Sequence, residues 1–359
     1  MLHAHMMDRV TREGPLPFEV FMQEALYHPE EGFFSGSMLR SQKAGDFLTS
    51  PEVSRLFGET LAEFVRAEHT RVGDPFCLVE VAAGSGSLLA SLLDVEAVEA
   101  WAVEVSPAAR RNLAALLGPG RVVDSLTALP APLSGVVLAN ELVDNLPMAV
   151  AQRIEGGWRE RWVGAEDGRL TLVDAPPRRE VVEWLDRFGG PVEEGGWAEV
   201  QLRAAEWVRD ILEILSAGAL VVIDYGDTAE NLAPRRRDGT LRTYRAHHLG
   251  PHPLEEPGAT DITADVNFTA LEEVAREAGA KVEIWRQDDF LATHGLRERV
   301  SSLRHQELEL ARGGPPEERL RVRTLRQEAE TLMHPRGLGD FRVMVARPIG
   351  EPGPGPATS

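Results

Sequence analysis

The chain holds a single cysteine, Cys77, in 359 residues. A lone thiol excludes an intrachain disulfide and a cysteine zinc site. Long apolar runs are missing as well: no stretch approaches the roughly 18 residues of a membrane-spanning helix. From Met1 to Val10, His and Asp stand where a secretory signal needs a basic and then an apolar segment. Basic charge is scarce beside acidic charge, with 38 Lys and Arg against 57 Asp and Glu, a formal net charge of −19. A nucleic-acid surface needs a basic footprint, so nucleic acid is excluded as an obvious partner. Lysine is nearly absent: Lys43 and Lys281 stand against 36 Arg. Genome composition produces such a bias, so no function is read from it. These absences describe an acidic, soluble protein, expected in the cytoplasm. With 43% apolar residues the chain can bury a sizeable core. Its length suits two domains, or one domain with large insertions.

Periodicity then places the elements. Phe18, Phe21, Met22, Ala25 and Leu26 fall at helical spacing. Ser50-Pro51 is a good helix start, with Ser as cap and Pro at the first helical position. Val53, Leu56, Phe57, Leu61, Phe64 and Val65 follow on one apolar face. We read residues 1–69 as a helical arm or lid. From about 76 to 139, short apolar runs ending at Val81, Val103 and Ala139 alternate with helical segments, which predicts a parallel α/β sheet. Residues 149–200 suggest a β-rich insertion, and 227–266 a long loop region. Thr269 with Glu272 predicts a capping box. Ala219–Ile223, Val282–Trp285 and Arg342–Ala346 read as the remaining strands, with a helical insertion over 296–333. Residues 297–330 hold eight Arg and seven Glu, so the rest of the chain carries −20. Residues 351–359 read as a disordered tail closing a main unit of 70–350.

Four motifs carry chemistry. The first is Glu80-Val81-Ala82-Ala83-Gly84-Ser85-Gly86, with Glu104 twenty residues after Gly84. A glycine-rich turn after the first strand lets a ligand approach the backbone, and an acid ending the second strand accepts two ribose hydroxyls. Dinucleotides and S-adenosylmethionine (SAM) share this layout. A dinucleotide wants G-x-G-x-x-G, and Leu89 stands at the third glycine position, so SAM is favoured. The bland alternative is a strand–helix turn without a ligand. The second motif is Asn140-Glu141-Leu142-Val143-Asp144-Asn145-Leu146-Pro147, at a strand's carboxyl end where such sheets bind ligands. Its acids suit a cationic acceptor; otherwise they favour a helix N-terminus. The third runs from Gly45 to Ser54, either a capped turn or a lid over the cofactor that brings Asp46, Thr49 and Ser50 to it. The fourth comprises Asp238–His247 and Pro257–Val266. There His247 and His248 are chiefly loop residues, and a metal site with His252 is a remote alternative.

Together these motifs resemble the MidA-like class I SAM-dependent methyltransferases. That family includes the mitochondrial complex I assembly factor, which dimethylates an arginine of a complex I subunit. The resemblance spans about residues 14–347. It rests on Phe18-x-x-x-Met22-x-x-Ala25-Leu26-Tyr27-x-Pro29-x-x-Gly32-Phe33-Phe34, Gly45–Gly58, Asn140–Pro147, Asp224-Tyr225-Gly226, Gly239-Thr240 with Tyr244 and His247, Asp261-Ile262-Thr263, and Gln287-x-x-Phe290-Leu291-x-x-Gly295. Two departures stand out. Ala82 occupies a position usually held by Gly, tolerable if its backbone is ordinary, and Leu338-Gly339 replaces a Met-Gly pair.

The resemblance implies a Rossmann-like, seven-stranded, mostly parallel sheet carrying an N-terminal arm and large insertions. It implies SAM as cofactor, held by Glu80, Ala82, Gly84, Gly86 and Glu104 with Asp46, Thr49 and Ser50. Glu141, Asp144 and Asn140 are the expected catalytic residues, with Tyr225, Tyr244, His247 and Asp261 on the acceptor and no metal. The expected acceptor is a protein arginine, in a subunit of a respiratory NADH dehydrogenase. The rival readings are a small-molecule methyltransferase and a non-catalytic SAM-fold assembly chaperone.

Overall fold

A computed structural model describes residues 1–35, 50–235, 237–245 and 248–350. Seven strands form the central sheet: β1 (Cys77–Val81), β2 (Glu99–Val103), β3 (Val122–Val123), β4 (Leu133–Asn140), β5 (Leu215–Asp224), β6 (Ala280–Arg286) and β7 (Arg342–Pro348). Their order is β6-β7-β5-β4-β1-β2-β3. Strands β1 to β5 are parallel, and β7 runs antiparallel to both of its neighbours. The winding direction reverses between β4 and β1, and in an open α/β sheet the ligand crevice lies at that switch point.

Alternation along each strand sorts side chains onto two apolar layers. Val79, Val137, Leu220 and Val222 face one layer, covered by the helices Arg179–Phe188, Leu202–Ile214 and Phe268–Glu277. Leu78, Val136, Leu138 and Val221 face the other, covered by Arg55–Val72, Ser87–Leu93 and the hairpin Leu296–Leu310 and Pro316–Leu332. The helix Arg55–Val72 therefore packs on the sheet, and a boundary at residue 69 falls inside it. Gly58 lets it approach closely: a Cβ there would lie 1.9 Å from Ser91 Oγ, on the helix that follows the glycine turn. Among the described residues no helix is long and apolar enough to cross a membrane.

The N-terminal helices Leu2–Glu13 and Phe18–Tyr27 build a third core with the inserted β-sheet. Leu16 and Pro17 pair antiparallel with Val163 and Trp162 of that sheet. Glu19 ties the two together, accepting from Arg178 at 3.0 Å and Arg203 at 2.9 Å.

Several local expectations change. Ser50-Pro51 opens a helix of four residues only, and Ser54 caps the long one, accepting from Leu56 N at 3.3 Å. Asn267, rather than a Thr269–Glu272 box, caps the helix Phe268–Glu277, while Thr269 Oγ1 accepts from Ala229 N at 3.0 Å. The hydroxyl instead serves the first amide of the helix Ala229–Leu232, a partner that local spacing does not reveal. Residues 227–266 are not one loop: the strands Arg242–Arg245, His248–Leu249 and Asp261–Thr263 make a small antiparallel sheet. The 351–359 tail lies outside the described residues.

Candidate functional site at the carboxyl edge of the sheet

Two cavities open at the carboxyl edge of the sheet, the first at the switch point. The first, of about 760 Å³, is lined by the turns that follow β1, β2, β3 and β4. Both β1 and β4 are followed directly by a residue in the left-handed region, Ala82 at φ 57° and Glu141 at φ 53°. The Ala82 backbone is therefore not ordinary, contrary to the sequence expectation, and an L-residue there is strained by roughly 1–2 kcal/mol. The ladder still continues through these turns, with Ala82 N donating to Val103 O and Glu141 N to Ile223 O, each at 2.8 Å. The turns are thereby pinned to the sheet while their side chains swing toward the cavity.

Glu104 knits the pocket. Its Oε2 accepts from Gly84 N at 2.8 Å and its Oε1 from Ser106 N at 2.7 Å. Burial raises its pKa. Glu80 lies deeper, pushed up to about 8 by burial and then by the charge of Glu104. Its Oε2 is buried and has no hydrogen-bond partner among the described residues, so it is an acceptor or acid that can serve a ligand. Asp124 and Ser125, after β3, complete this wall.

The charges select among ligands. Glu80, Glu104, Asp124 and Glu141 all line the cavity. Among the described residues of its lining the one arginine is Arg110, which donates to the carbonyls of Glu104 and Val105. A pyrophosphate would meet carboxylates with little cation to offset them. A sulfonium with an ammonium and ribose hydroxyls instead finds acceptors, so the residues present fit SAM.

The second cavity, of about 790 Å³, adjoins the first, and Glu141 and Asn145 line both. Glu141 is pushed up to about 8, mainly by burial and then by Asp144. Its Oε1 accepts from Ser50 N and from Asn140 Nδ2, each at 3.2 Å. Asp144 also lines the second cavity. Its Oδ2 accepts from Thr263 Oγ1 at 2.6 Å and from the Tyr225 hydroxyl, while Oδ1 is buried with no hydrogen-bond partner among the described residues. Asn145 Nδ2 donates to Asp261 Oδ1 at 2.7 Å and to Ile262 O at 3.0 Å. Beneath them Asp224 accepts from Val143 N at 2.9 Å and Asp144 N at 3.2 Å, so it shapes the turn that carries the acids.

The sequence-predicted residues divide accordingly. Glu80, Ala82, Gly84, Glu104, Asn140 and Glu141 meet at the first cavity. Gly86, in left-handed conformation at φ 80°, caps the next helix instead of lining the cavity. Asp144, Tyr225, Tyr244 and Asp261 meet at the second cavity. Asp46, Thr49 and His247 lie outside the described residues. Among the described residues no group of three or more potential metal-binding side chains forms.

Sequence reasoning quoted Tyr27 and Asn145 within motifs without giving either a role at the site, and it passed over Asp124. Tyr27 lines the first cavity, and its hydroxyl donates to Asn145 O at 3.2 Å, joining the N-terminal helix to the acid-bearing turn. Rarity was an available signal: the chain has three tyrosines, and all three line these cavities.

A sheet of this order, with an acid-lined cavity at its switch point, defines a class I methyltransferase architecture. Residues 56–285 match the family model of S-adenosyl-L-methionine-dependent methyltransferases, and the chain belongs to that family. It is similar to the mitochondrial protein arginine methyltransferase NDUFAF7 of Homo sapiens, with 27% identity over 94% of this chain and 80% of the relative. NDUFAF7 of Xenopus tropicalis is 27% identical over 83% of this chain and 76% of the relative. Among solved structures, a Burkholderia thailandensis protein bound to S-adenosyl-homocysteine superposes with a TM-score of 0.84. The two are 29% identical over 98% of this chain and 92% of that one. The chain is thus a SAM-dependent methyltransferase. The cytoplasmic expectation is overturned, because these relatives are mitochondrial proteins. Acidity reports surface charge, whereas compartment is set by targeting signals that surface charge does not encode.

Proposed function

We propose that the first cavity holds SAM and the second receives an arginine side chain of a partner protein, which is methylated on a guanidinium nitrogen. Glu141 carries this reading, since it lines both cavities with Asp144 and Asp261 on the acceptor side. Bound SAM supplies an electrophilic methyl group on a cationic sulfur. Glu104 and Asp124 would accept from the hydroxyl and amino donors of the nucleoside, and Glu80 would offer an acceptor to its ammonium. A guanidinium is a planar fork of five donors, which a carboxylate engages bidentately. Glu141 holds one nitrogen toward the first cavity and takes the proton that this nitrogen loses on methylation. Burial raises its pKa in the free protein, and the charge of the bound guanidinium favours its carboxylate form, which then takes that proton. Asp144 Oδ1 and Asp261 hold the other nitrogens. Such positioning supplies up to about 7–11 kcal/mol of barrier reduction in the best cases.

The names of the relatives support arginine, and the resemblance supports a respiratory NADH dehydrogenase subunit as partner. On the same reading, residues 70–350 are the methyltransferase unit, joined by the helix Arg55–Val72. The 227–266 insertion forms its substrate side, through Arg235, Arg242, Tyr244, Asp261 and Asp265 at the second cavity. The test adds the purified protein and labelled SAM to a lysate of a strain lacking it. Label on an arginine of a respiratory subunit supports the proposal, and label confined to small molecules rejects it.

A further inference from the structure

The second cavity changes sign from floor to mouth. Its floor holds Glu141, Asp144 and Asp261. Its mouth holds Arg235, Arg242 and Arg336. Arg235 and Arg242 share one carboxylate, Asp265. Arg235 also reaches Asp227 at 3.8 Å, and Asp227 is in turn bound by Arg342 at 2.8 Å. The mouth carboxylate Asp340 is taken by Arg286 and Arg342. Arg336 is exposed in the turn after the helix Pro316–Leu332, and among the described residues it forms no side-chain ion pair. In a chain of net charge −19, a surplus of guanidinium at the rim of an acidic hole runs against the bulk charge. It is also misplaced for attracting a cation alone. A ligand matching both ends carries a cation at its tip and an anion nearer its stem.

Resting on the arginine reading above, we propose that the mouth recognises an acidic residue flanking the target arginine, with Arg336 as its principal contact. An extended chain advances about 3.3–3.6 Å per residue, so a cavity of about 790 Å³, roughly 9 Å across, places the acid within about three positions of the arginine. Arg336 offers that carboxylate the same planar fork that the floor receives from the substrate. The Arg242 guanidinium, 5.8 Å from the centre of the Tyr225 ring, borders the passage between the two ends.

The test uses the full-length protein, labelled SAM and a degenerate heptapeptide library with arginine at its centre, read by mass spectrometry of labelled products. Asp and Glu should be enriched near the labelled arginine by about two- to fivefold, as expected for exposed ion pairs. The enrichment should fade as salt is raised. Arg336→Glu should fold normally and shift the preference to Lys and Arg, a reversal that a structural role would not cause. A flat profile in the native protein, or an acid preference retained in Arg336→Glu, overturns the proposal and leaves the arginine reading intact. An absence of label on arginine overturns the arginine reading itself.

Discussion

The Glu104 carboxylate receives the Gly84 amide at 2.8 Å, binding the acid that ends one strand to the glycine turn that ends its neighbour. Glu104→Ala should therefore disturb the first cavity twice, by removing the proposed ribose acceptor and by releasing the turn. Hydrogen bonds to charged groups contribute about 1.5–3 kcal/mol, so the SAM dissociation constant should rise about 10- to 150-fold. Calorimetry reads this directly, and an unchanged constant contradicts the role.

Glu141→Gln preserves shape and removes charge. SAM affinity should hold while turnover falls by about 10²–10⁴, the usual contribution of a positioned acid or base. Single-turnover kinetics beside calorimetry separates the two effects. Normal binding with native turnover rejects the assignment.

Glu80 and Glu141 are both raised to about 8 from an ordinary 4.5, each chiefly by burial. Between those values the folded protein holds protons that the unfolded chain has released, so stability falls as pH rises from about 4.5 to 8. Glu141→Gln should flatten this slope. Melting temperatures at pH 5 and pH 8 check it, and an identical pH difference in variant and native protein would refute it.

Ala82→Gly should relieve the left-handed strain, roughly 1–2 kcal/mol, against about 0.4–1 kcal/mol of added unfolded-chain freedom. A net gain of about 0.5–1 kcal/mol in urea denaturation is expected, with SAM binding retained. A loss of stability would mean that the alanine methyl packs to advantage.

Gly58→Ala drives a methyl into Ser91. Overpacking of this kind costs about 1–3 kcal/mol. It should also weaken SAM binding, because the displaced helix Ser87–Leu93 follows the glycine turn. Adding Ser91→Gly should restore both stability and affinity; failure of that rescue would show that the crowding lies elsewhere.

Legibility followed the range of the interactions. Strand β1, the glycine turn and Glu104 were readable because apolar runs and their ends are local in sequence. The caps at Ser50 and Thr269 misled because each hydroxyl is only one candidate among nearby acceptors, and packing made the choice. The small sheet Arg242–Arg245, His248–Leu249 and Asp261–Thr263 went unseen because its strands are two to four residues long. Three residues show too little alternation to report a strand. The contact of Tyr27 with Asn145 joins residues 118 apart, a pairing that no local spacing encodes.

Alone, the sequence determined the parallel α/β class, the cofactor turn and the acids after β4, because hydrophobic period and turn chemistry act within a few residues. Tertiary structure alone decided that Ala82 and Glu141 adopt left-handed backbones, that Asp224 holds the acid-bearing turn, and that Glu141 stands between two cavities. Those features depend on how the strands and insertions meet at the sheet's edge, where burial raises Glu80 and Glu141 toward neutrality and brings acids distant in sequence around one space.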